Sequence, residues 1–500
     1  MIKAERANPV MSRRFPGLVV MAAAILFWGL GRAEAKTPAD RLQIEDCPFD
    51  GVQAQVECGT LEVFENRKAA AGRKIKIYFV RARASGPDPA PDPIFELSGG
   101  PGAQATNNLA GQLRNSSESL QKRDIVIFDQ RGTGRSHPLD CSQVDLKADP
   151  SAFQRLFDQD FFDPEVYRSC LQKLKPKADL TQYTTSIIAD DINELRQALG
   201  YSKINLEGGS YGTRLGLEYI RRHPETVRSA VLRGVAPSSA LLVETVAKDF
   251  QDALGTLIAD CQASARCSKA FPDFEEQLKE VLERVKREAV KVQLRNPGNG
   301  KMEEVVLRHP QLVTALRYAL YSTRQSASLP LKVKAAAEGD FGPIAGILAN
   351  LLHLLQNIMA EGMWASVICS EEVAYVDVEK ARRLSEGTVL GTLRLDAELA
   401  ICESWPKGKI PSDFHQPVVS EVPMLLIAGD YDPASPLQLA KEAVKTLKNG
   451  TLLRVANRSH WGLGGGDCIE GIVKQFLDKA SGQGIDLSCA AKFKRPPFEI

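Results

Sequence analysis

The sequence predicts an α/β fold with a mostly parallel sheet covered by helices on both faces, interrupted by a large, mainly helical insertion. Three observations predict it. Short apolar strands alternate with amphipathic helices in residues 94–233 and again in 422–479. A strand, a glycine-rich turn and a helix surround Gly208-Gly209-Ser210-Tyr211-Gly212, which fits G-x-S-x-G. An acidic loop at a strand end and a histidine after the next strand follow that serine, in the chain order Ser, Asp, His.

The elements read in order as follows. The run 60–64 and the run 74–80 alternate like paired strands, and 66–73 turns between them. The proline-rich stretch 86–93 is a stiff surface loop. Strand 94–97 runs into Ser98-Gly99-Gly100-Pro101-Gly102, a glycine-rich strand end whose N–H groups can turn toward a developing oxyanion or form a simple tight turn. Strand 124–128 ends in Asp129-Gln130-Arg131-Gly132-Thr133-Gly134-Arg135-Ser136. This loop lacks the G-x-x-x-x-G-K-[ST] spacing of a phosphate cradle, so its charges are expected to knit the chain beneath the site. An amphipathic helix over 186–199 leads into strand 203–207. The helix 213–222 follows Ser210 and stops at His223-Pro224, and 228–233 is the next strand.

From 240 to 416 the sheet pattern stops. Asp273 is expected to cap a helix with Phe274, Leu278, Val281, Leu282 and Val285 on one face. Runs 290–294 and 303–307 flank a turn at 296–300 and predict a hairpin. Further helices are expected over 310–321, 329–338 and 341–359. The sheet returns with strand 422–428, then Gly429-Asp430-Tyr431-Asp432-Pro433, strand 451–456, His460-Trp461-Gly462 and a terminal helix over 467–479. Of six histidines, His460 alone lies after the acidic loop; Asp430 and Asp432 both qualify as its partner. The tail 492–500, basic and proline-rich, is expected on the surface.

Composition narrows the function. A formal charge of +1 over 500 residues gives no electrostatic case for nucleic acid. Arg13-Arg14, an apolar run over 18–30 and Ala33-Glu34-Ala35 form a signal-peptide pattern, with residues 1–35 removed on export. The apolar run is too short to favour a membrane anchor, so no stable membrane insertion is expected afterwards. All ten cysteines lie beyond it, and their spacing suggests local bridges: Cys47–Cys58, Cys141–Cys170, Cys261–Cys267, Cys369–Cys402 and Cys468–Cys489. No C-x-x-C or histidine cluster supports a metal site, and none is expected.

Leu97-Ser98-Gly99-Gly100-Pro101-Gly102, the 129–136 loop and Gly208-Gly209-Ser210-Tyr211-Gly212, together and in this order, resemble the proline iminopeptidase and tripeptidyl aminopeptidase family of α/β-hydrolases. The likeness spans nearly all of the chain beyond the signal; Ser98 departs from it, since many members carry His there. The resemblance implies a hydrolase core over 36–239 and 417–500 with a cap over 240–416. It implies a serine aminopeptidase acting on peptides without a cofactor, through Ser210, His460 and, by the family's G-x-x-D pattern, Asp432. Tyr211 with Gly99 or Gly100 would form the oxyanion hole. Acidic cap residues hold the substrate amine in that family, and Glu371 and Glu372 are the candidates here. Two other classes stand beside this reading. An esterase or lipase could use the same triad, whereas an inactive hydrolase fold serving as a binding protein is disfavoured by the intact residues.

Overall fold

The computed structural model describes residues 37–47, 54–115, 117–141, 152–158, 162–464 and 466–500. The signal-peptide pattern lies outside the described residues. Nine strands form one sheet: β1 (Leu42–Asp46), β2 (Val56–Phe64), β3 (Lys74–Ala82), β4 (Ile94–Leu97), β5 (Ile125–Phe128), β6 (Ile204–Gly209), β7 (Val227–Arg233), then β10 (Met424–Gly429) and β11 (Gly450–Val455), after a separate antiparallel hairpin of β8 (Val290–Arg295) and β9 (Met302–Leu307). The order across the large sheet is β1-β2-β3-β5-β4-β6-β7-β10-β11. The first four neighbours pair antiparallel, and the rest are parallel.

Period-two alternation assigns the strand residues to two cores. Val126 and Phe128 of β5 and Met424, Leu426 and Ala428 of β10 face one core, packed under Ile188, Ile192 and Leu195 of helix Thr185–Ala198 and Leu215 of helix Tyr211–Arg222. Ile125, Ile127, Leu425 and Ile427 face the other, covered by Ile469, Ile472, Val473 and Phe476 of helix Asp467–Lys479. Continuous apolar runs are what a parallel strand needs when both its faces are buried.

Between β7 and β10, helices Leu242–Ala263, Phe274–Arg287, His309–Ala319, Leu329–Ala337 and Gly342–Ile358 close around β8 and β9 in a third core. Phe274, Leu278, Val281, Leu282 and Val285 are all buried there; Asp273 occupies the N-cap position, but its side chain makes no capping bond. Farther on, helix Glu361–Glu371 packs Met363, Ala365, Val367 and Cys369 into the first sheet core. The tail runs over the surface as expected, with Lys492, Lys494, Pro497, Glu499 and Ile500 exposed, but it is anchored there. Phe498 is buried in the third core, Arg495 pairs with Asp260 at 2.7 Å, and the Glu499 N–H donates to Ala327 O.

The five bridges join the pairs that the spacing suggested, and no cysteine is free. Thiol titration of the denatured, unreduced protein should therefore find no free thiol, and ten after reduction; several free thiols before reduction would contradict the pairing. Among the described residues no helix is long and apolar enough to cross a membrane.

Candidate active site

Ser210 sits between β6 and helix Tyr211–Arg222 with φ 56° and ψ −124°, a region that an L side chain seldom adopts. The surroundings over-determine it. Its N–H donates to Arg233 O of β7 at 2.9 Å, and its carbonyl accepts from Thr213 N and Thr213 Oγ1 at 2.9 and 2.6 Å. Gly212 makes the turn possible by space alone, because a Cβ there would lie 2.1 Å from Leu97 O. The serine is thus held out of the helix it caps, with its side chain opening on a cavity of about 550 Å³.

His460 opens on the same cavity. Its Nδ1 lies 2.8 Å from Asp432 Oδ2, and both side chains are nearly out of solvent. Asp432 also takes the N–H groups of Ala434 and Ser435 on Oδ1 at 2.8 and 2.9 Å, and Ser435 Oγ on Oδ2 at 2.8 Å. Burial pushes this carboxyl up, but the charge and bond of His460 and those two N–H groups outweigh it, leaving Asp432 below the ordinary carboxylate range. Asp430, the other candidate, is paired with Arg454 at the sheet surface instead. Gly234 lets β7 pass behind the pair: its φ is 65°, and a Cβ would come within 3.0 Å of Ser435 Oγ and 3.2 Å of the His460 ring. The insertion braces the histidine loop. Trp461 N–H donates to Tyr321 O at 2.8 Å, Ser459 Oγ to Leu320 O at 2.5 Å, and the Tyr321 ring stands edge-on to His460 at 5.1 Å.

Gly99, Gly100 and Tyr211 border the cavity beside Ser210. Tyr211 is the first helical residue, so no carbonyl of its own helix can accept its N–H. The glycine loop is tied to the chain beneath it. Gln130 Nε2 donates to Ser98 O, and fully buried Asp129 receives Ala105 N–H, Thr106 N–H, Thr106 Oγ1 and Arg135 N–H. Arg131 forks onto both oxygens of Asp191 at 2.6 and 2.8 Å and reaches the carbonyls of Glu65 and Gln182. These contacts knit the 129–136 loop as its charges suggested.

The two candidate cap carboxylates part company. Glu372 lines the cavity, but Arg214 Nη1 holds one oxygen at 2.7 Å and Val243 N–H the other at 3.0 Å. Glu371 is not among the cavity's lining residues. It accepts Thr185 N–H and Thr185 Oγ1 at 2.6 and 2.7 Å, capping helix Thr185–Ala198 from a distant part of the chain, and Thr185 in turn bonds the Tyr211 hydroxyl. Burial raises its carboxyl to about 7, offset in part by those bonds and by Arg214. Glu371 is therefore corrected from an amine-binding candidate to a structural cap. Sequence reasoning missed Glu398, on helix Leu393–Ser404, which lines the cavity 1% exposed. One oxygen takes Arg394 Nε at 2.8 Å; the other, Oε2, is buried without a partner. Arg394-x-x-x-Glu398 carries only the signal of an ordinary i,i+4 pair.

A family model described as the alpha/beta hydrolase fold matches residues 92–270, and one described as TAP-like protein matches residues 388–489. Serine protease Hip1 of Mycobacterium tuberculosis is 25% identical over 498 residues, covering 89% of this chain and 91% of that protein. The proline iminopeptidase of Neisseria gonorrhoeae is 32% identical over 143 residues, 29% of this chain and 32% of its own. The solved proline iminopeptidase of Mycobacterium smegmatis matches at 17% identity and a TM-score of 0.40, over 84% of this chain and 98% of that one.

Proposed function

We propose that this chain, which belongs to the proline iminopeptidase and tripeptidyl aminopeptidase family of α/β-hydrolases and is a serine peptidase of that fold, is an exported exopeptidase that acts at the free N-terminus of peptides. Ser210 Oγ attacks the scissile carbonyl while His460 takes its proton and later gives it to the leaving amine. Asp432 keeps the imidazole in the required tautomer and stabilises the imidazolium. The N–H of Tyr211 with that of Gly99 or Gly100 binds the oxyanion, each donor lowering the barrier by about 3 kcal/mol. Water then releases the acyl group. The signal-peptide pattern and the five bridges support export.

The observation that carries the N-terminal reading is Glu398. Glu398 lines the cavity and its second oxygen is buried without a partner, a costly state that a substrate ammonium reaching it would relieve. Glu372 lines the same cavity, with its charge met by Arg214. The insertion that supplies both acts as a cap over Ser210.

A peptide with a free amine is expected to be cleaved at least about a hundredfold faster, as kcat/KM, than its N-acetylated form. Glu398→Gln should erase most of that difference while short esters, which carry no ammonium, fall far less. Equal cleavage of free and acetylated peptides by the native enzyme would remove N-terminal recognition and assign an esterase or endopeptidase.

A further inference from the structure

Arg317 is the cation of the cavity wall that no carboxylate contacts; Asp249 and Glu398 act on its charge only from beyond ion-pair distance. It belongs to helix His309–Ala319 and is 6% exposed. The other guanidinia on the wall are paired: Arg214 with Glu372 at 2.7 Å, Arg394 with Glu398 at 2.8 Å, and Arg233 with Glu207 at 2.8 Å. Among the described residues no carboxylate lies within ion-pair distance of Arg317, no hydrogen bond reaches its guanidinium, and its Nε is buried without a partner. It touches aromatic faces instead, with the ring centres of Tyr318 and Tyr321 at 5.5 and 5.3 Å. These rings hold the group in place and leave its fork of N–H donors unused.

Two further observations say what such a fork would meet. The first is position. The Tyr321 ring touches both Arg317 and His460, at 5.3 Å from one and 5.1 Å from the other, so the guanidinium and the imidazole share one ring as a neighbour. The second is charge. Arg233 aside, Arg214, Arg317 and Arg394 share the wall with Asp249, Glu372 and Glu398. Glu372 and Glu398 hold the two paired arginines, while Asp249 takes only the Thr245 hydroxyl; the charges of Asp249 and Glu398 also act on Arg317 without touching it. The wall is thus balanced in charge, yet Glu398 Oε2 is buried without a partner and the Arg317 fork makes no hydrogen bond. A ligand that answers both carries an ammonium and a carboxylate.

We propose that Arg317 reads a substrate carboxylate, and that the peptides this cavity accepts carry one besides their free amine: an Asp or Glu side chain on the seated residues, or the C-terminal carboxylate of a short peptide. This rests on, and deepens, the exopeptidase reading. Arginine suits the task, because its planar fork donates two parallel bonds to the two carboxylate oxygens.

The test uses the mature protein, the Arg317→Gln variant and, in case that variant folds poorly, the Arg317→Lys variant, with thermal melts on each. Free-amine tripeptidyl arylamides with Glu or Gln at each position in turn read the side-chain source; short peptides as free acids or C-terminal amides read the other. The native enzyme should favour the carboxylate member of at least one set by about tenfold or more in kcat/KM. Arg317→Gln should bring that ratio near one, and Arg317→Lys should retain part of it. No preference in either set, or a ratio that Arg317→Gln leaves in place, overturns the proposal. If no peptide is cleaved although a phosphonate labels Ser210, the exopeptidase reading fails by itself. Arg317 is then judged on 4-nitrophenyl hemiglutarate against 4-nitrophenyl pentanoate. A preference for the former that Arg317→Gln abolishes upholds carboxylate reading, and its absence refutes it.

Discussion

Ser210→Ala is expected to lower kcat by about a million-fold on any substrate the enzyme cleaves, with His460→Ala close behind and Asp432→Asn costing about ten-thousand-fold. The size follows from the parts acting as one unit. Without Ser210 no acyl-enzyme forms, and what remains is the oxyanion loop and substrate binding. Asp432→Asn acts differently. Asp432 Oδ2 faces His460 Nδ1 at 2.8 Å and also accepts Ser435 Oγ. An amide NH₂ turned to that place would demand the wrong imidazole tautomer; turned away, it would oppose the N–H groups of Ala434 and Ser435. The three variants should combine without adding, the triple being no slower than Ser210→Ala alone. Kinetics on an arylamide, with thermal melts showing retained folding, is the measurement. Wild-type turnover by a folded Ser210→Ala protein would refute the assignment, as would phosphonate labelling elsewhere.

Arg131→Met should leave the catalytic groups in place and destabilise the protein by about 3–5 kcal/mol. Arg131 and Asp191 are 0% and 1% exposed, joined by two bonds, and Arg131 also serves the carbonyls of Glu65 and Gln182. Taking the guanidinium away leaves a buried carboxylate with only Arg67, a partly exposed side chain, to meet it. The two carbonyls lose their donor as well. Asp191→Asn should cost about as much, since the fully buried Arg131 cation then loses its only carboxylate among the described residues and Arg67 loses one of two. Denaturant unfolding under non-reducing conditions measures both. An Arg131→Met midpoint equal to that of the native chain would mean that this buried pair contributes nothing net.

By itself the sequence determined what local rules govern. Alternating and continuous apolar runs placed the sheet strands from β2 on, because burial on one or both faces leaves a period of two or a solid run. Edge strand β1 escaped that test, since four of its five residues are exposed and pairing with β2 holds it. The elbow at Ser210 was legible because glycines must flank a turn this tight. The bridges were legible because their partners lie only 6 to 33 residues apart. The order of Ser210, an acid and His460 came from the chain itself.

Tertiary structure decided the rest. Asp432 rather than Asp430 holds the histidine because Asp430 faces Arg454. Glu371, adjacent to Glu372 in sequence, is turned by one step of the helix into the core to cap Thr185–Ala198, while Glu372 faces the cavity. Glu398 and Arg317 became visible only when separate helices met over Ser210. The physical reason is the same in each case. A side chain's period and backbone preference are properties of its neighbours in sequence, whereas the partner that completes a buried charge is chosen by which helix faces are packed together.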